Sequence, residues 1–339
     1  MSRRSDLKLP RIVSRAPGKL VVLGEYAVLN GAPAMVFAVN RYCYAEINPS
    51  KDDYCRLIVR TTQDQTVKFE QGMPSGFEIV DTILRFFPGP RTYSAELDTS
   101  ELFKDGIKIG LGSSAAVVTA WAGAWMAFSG QDLVAADRKT LRTFVGLHRA
   151  MQGGAGSGVD VSASLYGGVT HFQLDDCAEP HASALQLPKG VVFAGVFTGS
   201  AATTSDYLKR YKQWQVEAPG EAEIQQRVMV EISKNGISAA DTNDADGFLE
   251  AIVEYGRALE MLGTKMGAKI FTQEHCHVKR TAELLGVSYK MSGAGGGDVG
   301  LAFSSDLDAL EEFKKRVDKE YCVLELEIDT NGLHVEIDA

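Results

Sequence analysis

Three short segments of this chain are rich in glycine and carry serine or aspartate side chains that could do chemistry. They are GLGSS (110–114), GGAGSGVD (153–160) and SGAGGGDVG (292–300). Glycine admits a positive φ and lets another group approach the backbone without a Cβ in the way. Hydroxyl and carboxylate groups beside such a backbone suit an anionic ligand and the cation that accompanies it. These segments therefore mark the candidate site.

The first segment runs directly into an apolar stretch that predicts a buried helix over 114–128. The leading amides of a helix lack internal partners and carry partial positive charge, so a glycine loop before them can cradle phosphate. The hydroxyls of Ser113 and Ser114 could then cap the helix, touch phosphate or bind Mg²⁺. A plain serine-capped helix after a tight turn is an equally good interpretation of this stretch taken alone.

The remaining candidate residues leave a structural and a functional interpretation open. Asp160, the one acid of the second segment, could be a capping or buried structural group or a catalytic carboxylate. The third segment could be a flexible hairpin, although closely flanking apolar strands favour a rigid frame for a ligand. In RAPGKLVVLGEYAVLNG (15–31), Lys19 and Glu25 are ordinary in isolation, and Lys19 has the character of an edge-strand lysine.

Several other ligand motifs are excluded. No G-x-x-x-x-G-K-[ST] string occurs, so there is no Walker A loop. A G-x-G-x-x-G string at 295–300 lies late in the chain between predicted strands, where a dinucleotide fingerprint is not expected. We also reject a metal site built on His148, His275 and His277, because residues two apart in the predicted helix at 275–277 do not share a face.

The composition indicates a globular protein of two domains. The chain has 339 residues, 45% hydrophobic and 23% charged, and we expect domains at 1–188 and 189–339. The formal net charge of −9 argues against nucleic-acid binding, so an anionic ligand would need locally concentrated positive charge. No apolar run is long enough to cross a bilayer. Five dispersed cysteines and the lack of a hydrophobic signal segment predict a cytoplasmic protein with reduced thiols.

Strands and helices must position these segments. Strands are predicted within 11–48 and 53–72, and a helix over 76–87. An amphipathic helix is predicted over 132–152. The second half predicts a strand at 189–199, helices at 219–234, 245–266, 272–285 and 305–319, and closing strands at 321–328 and 333–338. This order is typical of an α+β protein.

Taken together and in this order, the segments resemble the motifs of the GHMP kinase superfamily. PGKLVVLGEYAVL (17–29) resembles its N-terminal motif, GLGSSAA (110–116) its ATP-binding motif and SGAGGGD (292–298) its C-terminal motif. The resemblance extends from Arg15 to the end of the chain. It implies a two-domain α+β GHMP kinase fold, with an N-terminal domain like domain 2 of ribosomal protein S5 and a ferredoxin-like C-terminal domain.

Within the superfamily, the chain is most similar to the phosphomevalonate kinases. QGGAGSGVDV (152–161) and SGAGGGDVGLAF (292–303) resemble their motifs, and FTGSAATTSDYL (197–208) resembles the segment that contacts the acceptor. Mevalonate kinases carry a glutamate eleven residues before the catalytic aspartate, a position occupied here by Arg149. A cation there suits an acceptor or a nucleotide with more negative charge.

The resemblance implies a role for each motif residue. Lys19 and Asp160 would lie at the transfer centre, and Ser114, or Ser113, would hold Mg²⁺. The residues implied to bind the nucleotide are Gly110, Leu111, Gly112, Ser113, Ser114 and Ala115. The residues implied to contact the acceptor are Lys19, Glu25, Tyr26, Arg149, Ser157, Gly158, Thr203, Thr204, Ser205, Gly293, Ala294, Gly295 and Gly296. Further basic residues, for which a solvated surface role is the simpler interpretation, are Lys104, Lys108, Lys209 and Arg210.

The implied reaction is the ATP- and Mg²⁺-dependent phosphorylation of (R)-5-phosphomevalonate to 5-diphosphomevalonate, in the mevalonate route to isoprenoids. A phosphate monoester is mostly deprotonated at neutral pH, so we expect Lys19 to matter more than Asp160, which would chiefly orient it. Phosphorylation of mevalonate or a sugar is the alternative reaction, and a non-catalytic ligand sensor is the alternative class. We expect a monomer or homodimer with no nucleic-acid or membrane partner.

Overall fold

The chain folds into two larger β-sheets and a small two-stranded one, with helices packed on them. The computed structural model describes residues 10–89, 91–134, 137–154, 156–199 and 204–338. The strands are β1 (Arg11–Leu23), β2 (Ala34–Pro49), β3 (Tyr54–Arg60), β4 (Gln65–Glu70), β5 (Tyr93–Asp98), β6 (Phe103–Lys104), β7 (Ile107–Lys108), β8 (Val169–Leu174), β9 (Pro180–Leu185), β10 (Val192–Phe197), β11 (Ser288–Met291), β12 (Val299–Ser304), β13 (Cys322–Leu324) and β14 (His334–Asp338). The helices are α1 (Glu78–Phe86), α2 (Ser113–Phe128), α3 (Arg138–Met151), α4 (Val159–Tyr166), α5 (Thr204–Glu217), α6 (Pro219–Asp241), α7 (Ala245–Lys265), α8 (Gln273–Leu284) and α9 (Leu307–Val317).

The first sheet carries the strand that contains Lys19. Its order is β14-β1-β2-β5-β3-β4, with β8 paired to β2 and β9 paired to β8. The β3–β5 pairing is parallel, whereas β1 pairs antiparallel with both of its neighbours. Helices α2 and α4 pack on β1 and β2. Helix α2 is buried along almost its whole length, as its apolar sequence predicts.

Strand β1 is irregular on both sides of Lys19. Its pairing with β2 shifts register between Pro17 and Gly18 and again between Val21 and Leu23. The alternation of buried and exposed residues also ends after Arg15. Because such irregularities bend a strand and redirect its side chains, the direction of Lys19 depends on its tertiary surroundings rather than on simple alternation.

The second sheet has helices on both faces. Its strands run antiparallel in the order β11-β12-β10-β13. Helices α8 and α9 cover one face, where Val278, Leu310 and Phe313 share a hydrophobic cluster. Helix α7 packs beside β11, and its Phe248 ring lies 5.7 Å from the ring of Phe303 on β12. This arrangement confirms the α+β class predicted for the chain.

Four helices differ from the prediction. Helix α4 is not predicted, and α6 continues to Asp241, beyond the predicted end at 234. Helix α3 begins at Arg138, well inside the predicted range 132–152, because the Asp137 side chain accepts a hydrogen bond from Lys139 N and caps the helix. The sequence does not predict α5, which buries only Tyr211 and Trp214 and so shows little apolar periodicity. Of the helices formed by described residues, none combines the length and apolar character that a membrane span requires.

The last strand of the chain returns to the first sheet. Strand β14 pairs antiparallel with β1, from Arg11 opposite Asp338 to Arg15 opposite His334. The other strands of the first sheet all precede residue 189, and those of the second sheet all follow it. The division into domains at 188/189 stays a prediction, and β14 is the strand that connects the second half of the chain to the first sheet.

Candidate active site

The backbone of the first glycine segment packs directly against the strand that carries Lys19. Lys19 N–H donates a hydrogen bond to Leu111 O at 2.8 Å. A Cβ on Gly18 would lie 2.8 Å from the same carbonyl oxygen, and a Cβ on Gly112 would lie 2.5 Å from Lys19 Cε. Gly112 also has a φ of 71°, in the left-handed region. Glycine at positions 18 and 112 therefore permits this contact.

Helix α2 starts without a side-chain cap. Gly112 occupies the N-cap position, and no described side chain accepts a hydrogen bond there. Within the described part of the chain, the first α2 amide with a backbone partner is that of Ala115, which donates to Gly112 O at 3.0 Å. The amides of Ser113 and Ser114 are thus available to a ligand. The plain serine-cap interpretation is wrong, and the loop has the features of a phosphate cradle.

The structure brings Lys19 and Asp160 together. Asp160 lies in the first turn of α4, which follows Gly158 with its φ of 96°. Lys19 Nζ lies 3.4 Å from Asp160 Oδ1, and the two side chains are 8% and 30% exposed. Because this pair is partly shielded from water, it orients the ammonium more firmly than a fully exposed pair would. The geometry fits an orienting role for Asp160.

His148, for which the sequence suggests no role, lies beside the loop. Its Nε2 lies 3.1 Å from Ser114 Oγ and 3.1 Å from Gln152 Nε2. A side-chain amide nitrogen can only donate, so His148 Nε2 is the acceptor and the imidazole is neutral. Burial lowers the pKa of His148; the Asp160 charge opposes this effect and the Lys19 charge adds to it. A neutral histidine therefore holds the hydroxyl of Ser114.

The third glycine segment (292–300) touches the first and is held in place. A Cβ on Gly110 would lie 2.4 Å from Asp298 Cβ, so the two segments are in direct contact. The Tyr26 hydroxyl donates a hydrogen bond to Ala294 O. These contacts contradict the flexible-hairpin interpretation of the third segment and support the rigid one.

A second buried histidine supports the third segment. His275 Nε2 lies 3.0 Å from Gly297 O, and its Nδ1 lies 2.7 Å from the Tyr289 hydroxyl. A carbonyl oxygen only accepts, so Nε2 carries the proton and Nδ1 accepts from Tyr289. Burial lowers the pKa of His275, which keeps the imidazole neutral. His275 thus links the glycine segment to Tyr289 on β11 through two hydrogen bonds.

Two residues implied to contact the acceptor have internal partners. Arg149 donates from Nε to Gly156 O at 2.9 Å and from Nη2 to Ser157 O at 3.0 Å. Glu25 is buried, and its Oε1 lies 2.5 Å from Lys290 Nζ. A direct contact of either residue with a substrate would require these bonds to change. On α3, the residue that contacts Ser114 is His148 rather than Arg149.

The other implied acceptor contacts occupy several environments. Ser157 is buried, and its Oγ accepts a hydrogen bond from Val159 N at 3.3 Å. Thr204 and Ser205 are exposed at the start of α5. Thr203 lies outside the described residues. Of the four residues implied at 293–296, the three glycines have positive φ values, which are 86° for Gly293, 96° for Gly295 and 84° for Gly296.

The weaker basic candidates do not converge on Lys19. Lys104 Nζ lies 2.7 Å from Cys322 Sγ. Arg210 donates to a backbone carbonyl, Gly267 O, at 3.2 Å. The side chain of Lys209 is 80% exposed, and Lys108 is exposed as well. These positions are consistent with the surface role that we considered the simpler interpretation.

Sequence reasoning missed three buried residues that support the site, namely His148, His275 and Lys290. One signal was available, because His148 and Gln152 stand four apart on a predicted helix and so share a face. Lys290 could have been noticed as a lysine inside an otherwise apolar strand. Nothing local distinguishes His275, because its partners come from distant parts of the chain.

The donor groups of the site suit an anion and the metal that accompanies it. Among the described residues, no three His, Cys, Asp or Glu side chains cluster as metal ligands. Mg²⁺ that binds with phosphates usually takes only one or two protein ligands. The Ser114 hydroxyl is an oxygen donor of that kind, so the site fits Mg²⁺ that enters with a phosphate ligand.

Part of the chain matches a known protein family. Residues 94–168, which include the first glycine segment and Asp160, match the family model of the GHMP kinases N terminal domain. The chain carries a GHMP kinase N-terminal domain. The resemblance predicted from the sequence is therefore confirmed.

Similarity to GHMP kinases extends beyond that domain. A phosphomevalonate kinase of a Streptomyces strain is 29% identical, over 86% of this chain and 89% of that protein. A mevalonate kinase of Thermococcus onnurineus is 26% identical, over 85% and 87%. The structure of Streptococcus pneumoniae phosphomevalonate kinase in complex with phosphomevalonate and AMPPNP, 22% identical, covers 93% of this chain and 99% of that one with a TM-score of 0.79. The protein has the mixed α+β GHMP kinase fold.

We predict that His275 makes the fold sensitive to acid. The folded state keeps His275 neutral, whereas the unfolded chain binds a proton near pH 6.5, so stability present above that pH is lost below it. His275→Gln keeps a donor for Gly297 O without the titrating ring. Its free energy of unfolding, from urea titrations, should fall less than that of the wild type between pH 7.5 and 5.5, by up to about 1.4 kcal/mol.

The matched control is His334→Gln, since His334 is exposed on β14. This variant should keep the pH dependence of the wild type. Equal pH dependences for His275→Gln and the wild type would contradict the assignment of a neutral, buried imidazole.

Proposed function

We propose that this chain is an ATP-dependent kinase that transfers a phosphoryl group to 5-phosphomevalonate and forms 5-diphosphomevalonate. The observation that carries the proposal is the Lys19–Asp160 pair, 3.4 Å apart, beside the uncapped start of α2. Lysine beside a helix start provides the fixed positive charge that phosphoryl transfer needs. The similarity to phosphomevalonate kinases over most of the chain supports this choice.

The nucleotide would bind at the first glycine segment. Its phosphates would lie against the amides at the start of α2, where partial positive charge and free donors coincide. Ser114, or Ser113, is the residue that would hold Mg²⁺. When bound, the metal neutralises charge on the phosphate oxygens. His148 fixes the Ser114 hydroxyl at 3.1 Å, so that this oxygen is oriented before the ligand arrives.

A phosphorylated acceptor is supported by the neutral side chain that contacts Ser114. Two polyanions must approach each other in this reaction, and each carboxylate near them adds repulsion. The residue of α3 that contacts Ser114 is neutral His148 rather than an acid. The Lys19 ammonium lies 3.4 Å from Asp160 Oδ1, and it would offset charge on both substrates.

The proton chemistry assigns Asp160 a supporting role. The second pKa of a phosphate monoester is about 6, so the acceptor oxygen is already ionised at neutral pH and needs no base. An alcohol acceptor such as mevalonate would need one. We therefore assign transition-state charge stabilisation to Lys19 and orientation of Lys19 to Asp160.

The acceptor assignment predicts the outcome of a coupled ADP-release assay with mevalonate, 5-phosphomevalonate and galactose. We expect kcat/KM to be highest for 5-phosphomevalonate by at least about 100-fold, because a site built for a phosphate rejects analogues that lack it. Phosphorus NMR should show a diphosphate product. Preferred turnover of mevalonate would identify the alternative kinase, and nucleotide binding without turnover of any acceptor would identify a ligand sensor.

The nucleotide site predicts different effects of alanine at the two ends of α2. Gly112→Ala places a Cβ 2.5 Å from Lys19 Cε at a φ of 71°, so the affinity for Mg-AMPPNP, measured by calorimetry, should fall at least about 10-fold. Gly130→Ala meets the same backbone strain at a φ of 69°, but has no atom within 4 Å of its Cβ. It should lose about 1 kcal/mol of stability and keep wild-type affinity. Equal affinities of the two variants would count against a nucleotide at this loop.

The mechanism predicts that Lys19 is more important than Asp160 for turnover. Lys19→Met should lower kcat about 1,000-fold, because it removes the positive charge at the transfer centre. Asp160→Asn should lower kcat only about 10- to 100-fold, because the lysine charge remains but is less well oriented. Lys319→Met, at an exposed position of no proposed function, is the control. A deeper kcat loss in Asp160→Asn would reverse the assignment and make Asp160 the general base.

A further inference from the structure

A fully buried ion pair joins the two halves of the chain. Lys290 lies on β11 of the second sheet, and Glu25 follows β1 of the first. Their Nζ and Oε1 atoms are 2.5 Å apart, and the side chains are 0% and 3% exposed. No other ion pair of the described residues is so completely buried. A buried ion pair is generally no more stabilising than well-packed apolar side chains in the same place. Stability alone therefore does not explain why this pair is present.

Hydrogen bonds around the pair converge on the strand that carries Lys19. Lys290 Nζ lies 3.5 Å from Val21 O, and Ser292 Oγ donates to the same oxygen at 2.9 Å. Val21 is two residues beyond Lys19 on β1. The Tyr255 hydroxyl donates to Glu25 O at 2.7 Å. The second half of the chain thus holds the segment after Lys19 at two points, Val21 on β1 and Glu25 just beyond it.

The same contacts hold the third glycine segment (292–300). Ser292 begins the segment, and the Tyr26 hydroxyl binds it at Ala294 O. Gly293, Gly295, Gly296 and Gly297 all have positive φ. A backbone with so many glycines loses much conformational freedom when it is ordered, so it needs fixed attachments. Lys290 stands two residues before the segment, and its partner Glu25 stands two residues after β1.

The electrostatics of the pair reach the proposed transfer centre. Burial raises the pKa of Glu25, and the charge of Lys290 partly offsets this rise. Burial lowers the pKa of Lys290, and the charge of Glu25 partly offsets this fall. The charge of Lys19 lowers the pKa of Lys290 further, so the two lysines are within electrostatic range. Glu25 Oε2 is buried with no hydrogen bond of good geometry among the described residues, while the Gly293 backbone also favours the charged form of Glu25. Each charge therefore depends on the other, and loss of one would leave its partner buried and uncompensated.

We propose that Glu25 and Lys290 are positioning residues, which lock the third glycine segment onto β1 and thereby set Lys19 for phosphoryl transfer. This inference rests on the proposed function for its kinetic consequence, but not for its structural one. Glu25 then acts through the strand and the glycine segment rather than by touching the acceptor. The pair therefore fixes β1 and the third glycine segment relative to each other before the substrates bind.

The test compares single variants with a double variant. Lys290→Met alone should lower the melting temperature strongly, because it leaves Glu25 buried without a partner. Glu25→Gln combined with Lys290→Met removes both charges and should recover most of that loss. The kcat of the double variant should nevertheless stay about 10- to 100-fold below wild type, because misplaced reacting groups slow the chemical step. Its KM values for ATP and for 5-phosphomevalonate should each change less than about threefold.

A second readout does not depend on the acceptor. Hydrogen–deuterium exchange of the amides in 292–300 should be faster in the double variant than in the wild type, because the attachments of the segment are weakened. If the wild type phosphorylates none of the acceptors, the proposed function fails, and the exchange data still decide the positioning role. Wild-type kcat together with wild-type exchange in the double variant would overturn the proposal.

Two further variants keep the test decisive. Ser292→Ala removes only the hydrogen bond to Val21 O and introduces no uncompensated charge, so it tests the same attachment if the double variant does not fold. It should show a smaller kcat loss and faster exchange, and wild-type values would contradict the proposal. Gln225→Met, which removes a buried hydrogen bond to Ala258 O between α6 and α7, is the stability control. It should lower the melting temperature without changing kcat.

Discussion

The close contact between bare backbone and Lys19 is the constraint on which the rest of the site depends. Gly18 and Gly112 lack side chains where any Cβ would collide with Leu111 O or with the lysine itself. Only with this contact does the start of α2 lie beside the Lys19 ammonium. The irregular pairing of β1, the positive φ of Gly112 and the uncapped helix start are all consequences of bringing those groups together.

The electrostatics explain how a chain of net charge −9 can receive a polyanion. Positive charge is concentrated at Lys19 and at the start of α2, and the neighbouring histidine is kept neutral by burial. Low exposure strengthens each of these local effects, since buried charges are screened less by water and salt. The field at the site is therefore set by a few nearby groups rather than by the net charge of the whole protein.

The two halves of the chain contribute to one site, because buried polar contacts join them. The Glu25–Lys290 pair, the Ser292–Val21 bond and the Tyr26–Ala294 bond all connect the region after Lys19 to the third glycine segment. Buried polar contacts of this kind are costly when incomplete, and so they favour one relative arrangement over others. Strand β14 comes from the end of the chain and pairs with β1, so it also favours one arrangement of the two halves.

The sequence alone determined the α+β class, most helices and strands, the three glycine segments and the pairing of Lys19 with Asp160 in one site. The elements and the glycine segments follow from periodicity and from local motifs whose spacing reflects backbone geometry. The placement of Lys19 and Asp160 in one site was implied by the resemblance to the GHMP kinase superfamily. Only the tertiary structure decided that His148 contacts Ser114, that Arg149 serves a loop and that Glu25 pairs with Lys290. Those outcomes depend on contacts between residues up to 265 positions apart, and a side chain's partner across such a distance is chosen by packing and burial, which no local pattern encodes.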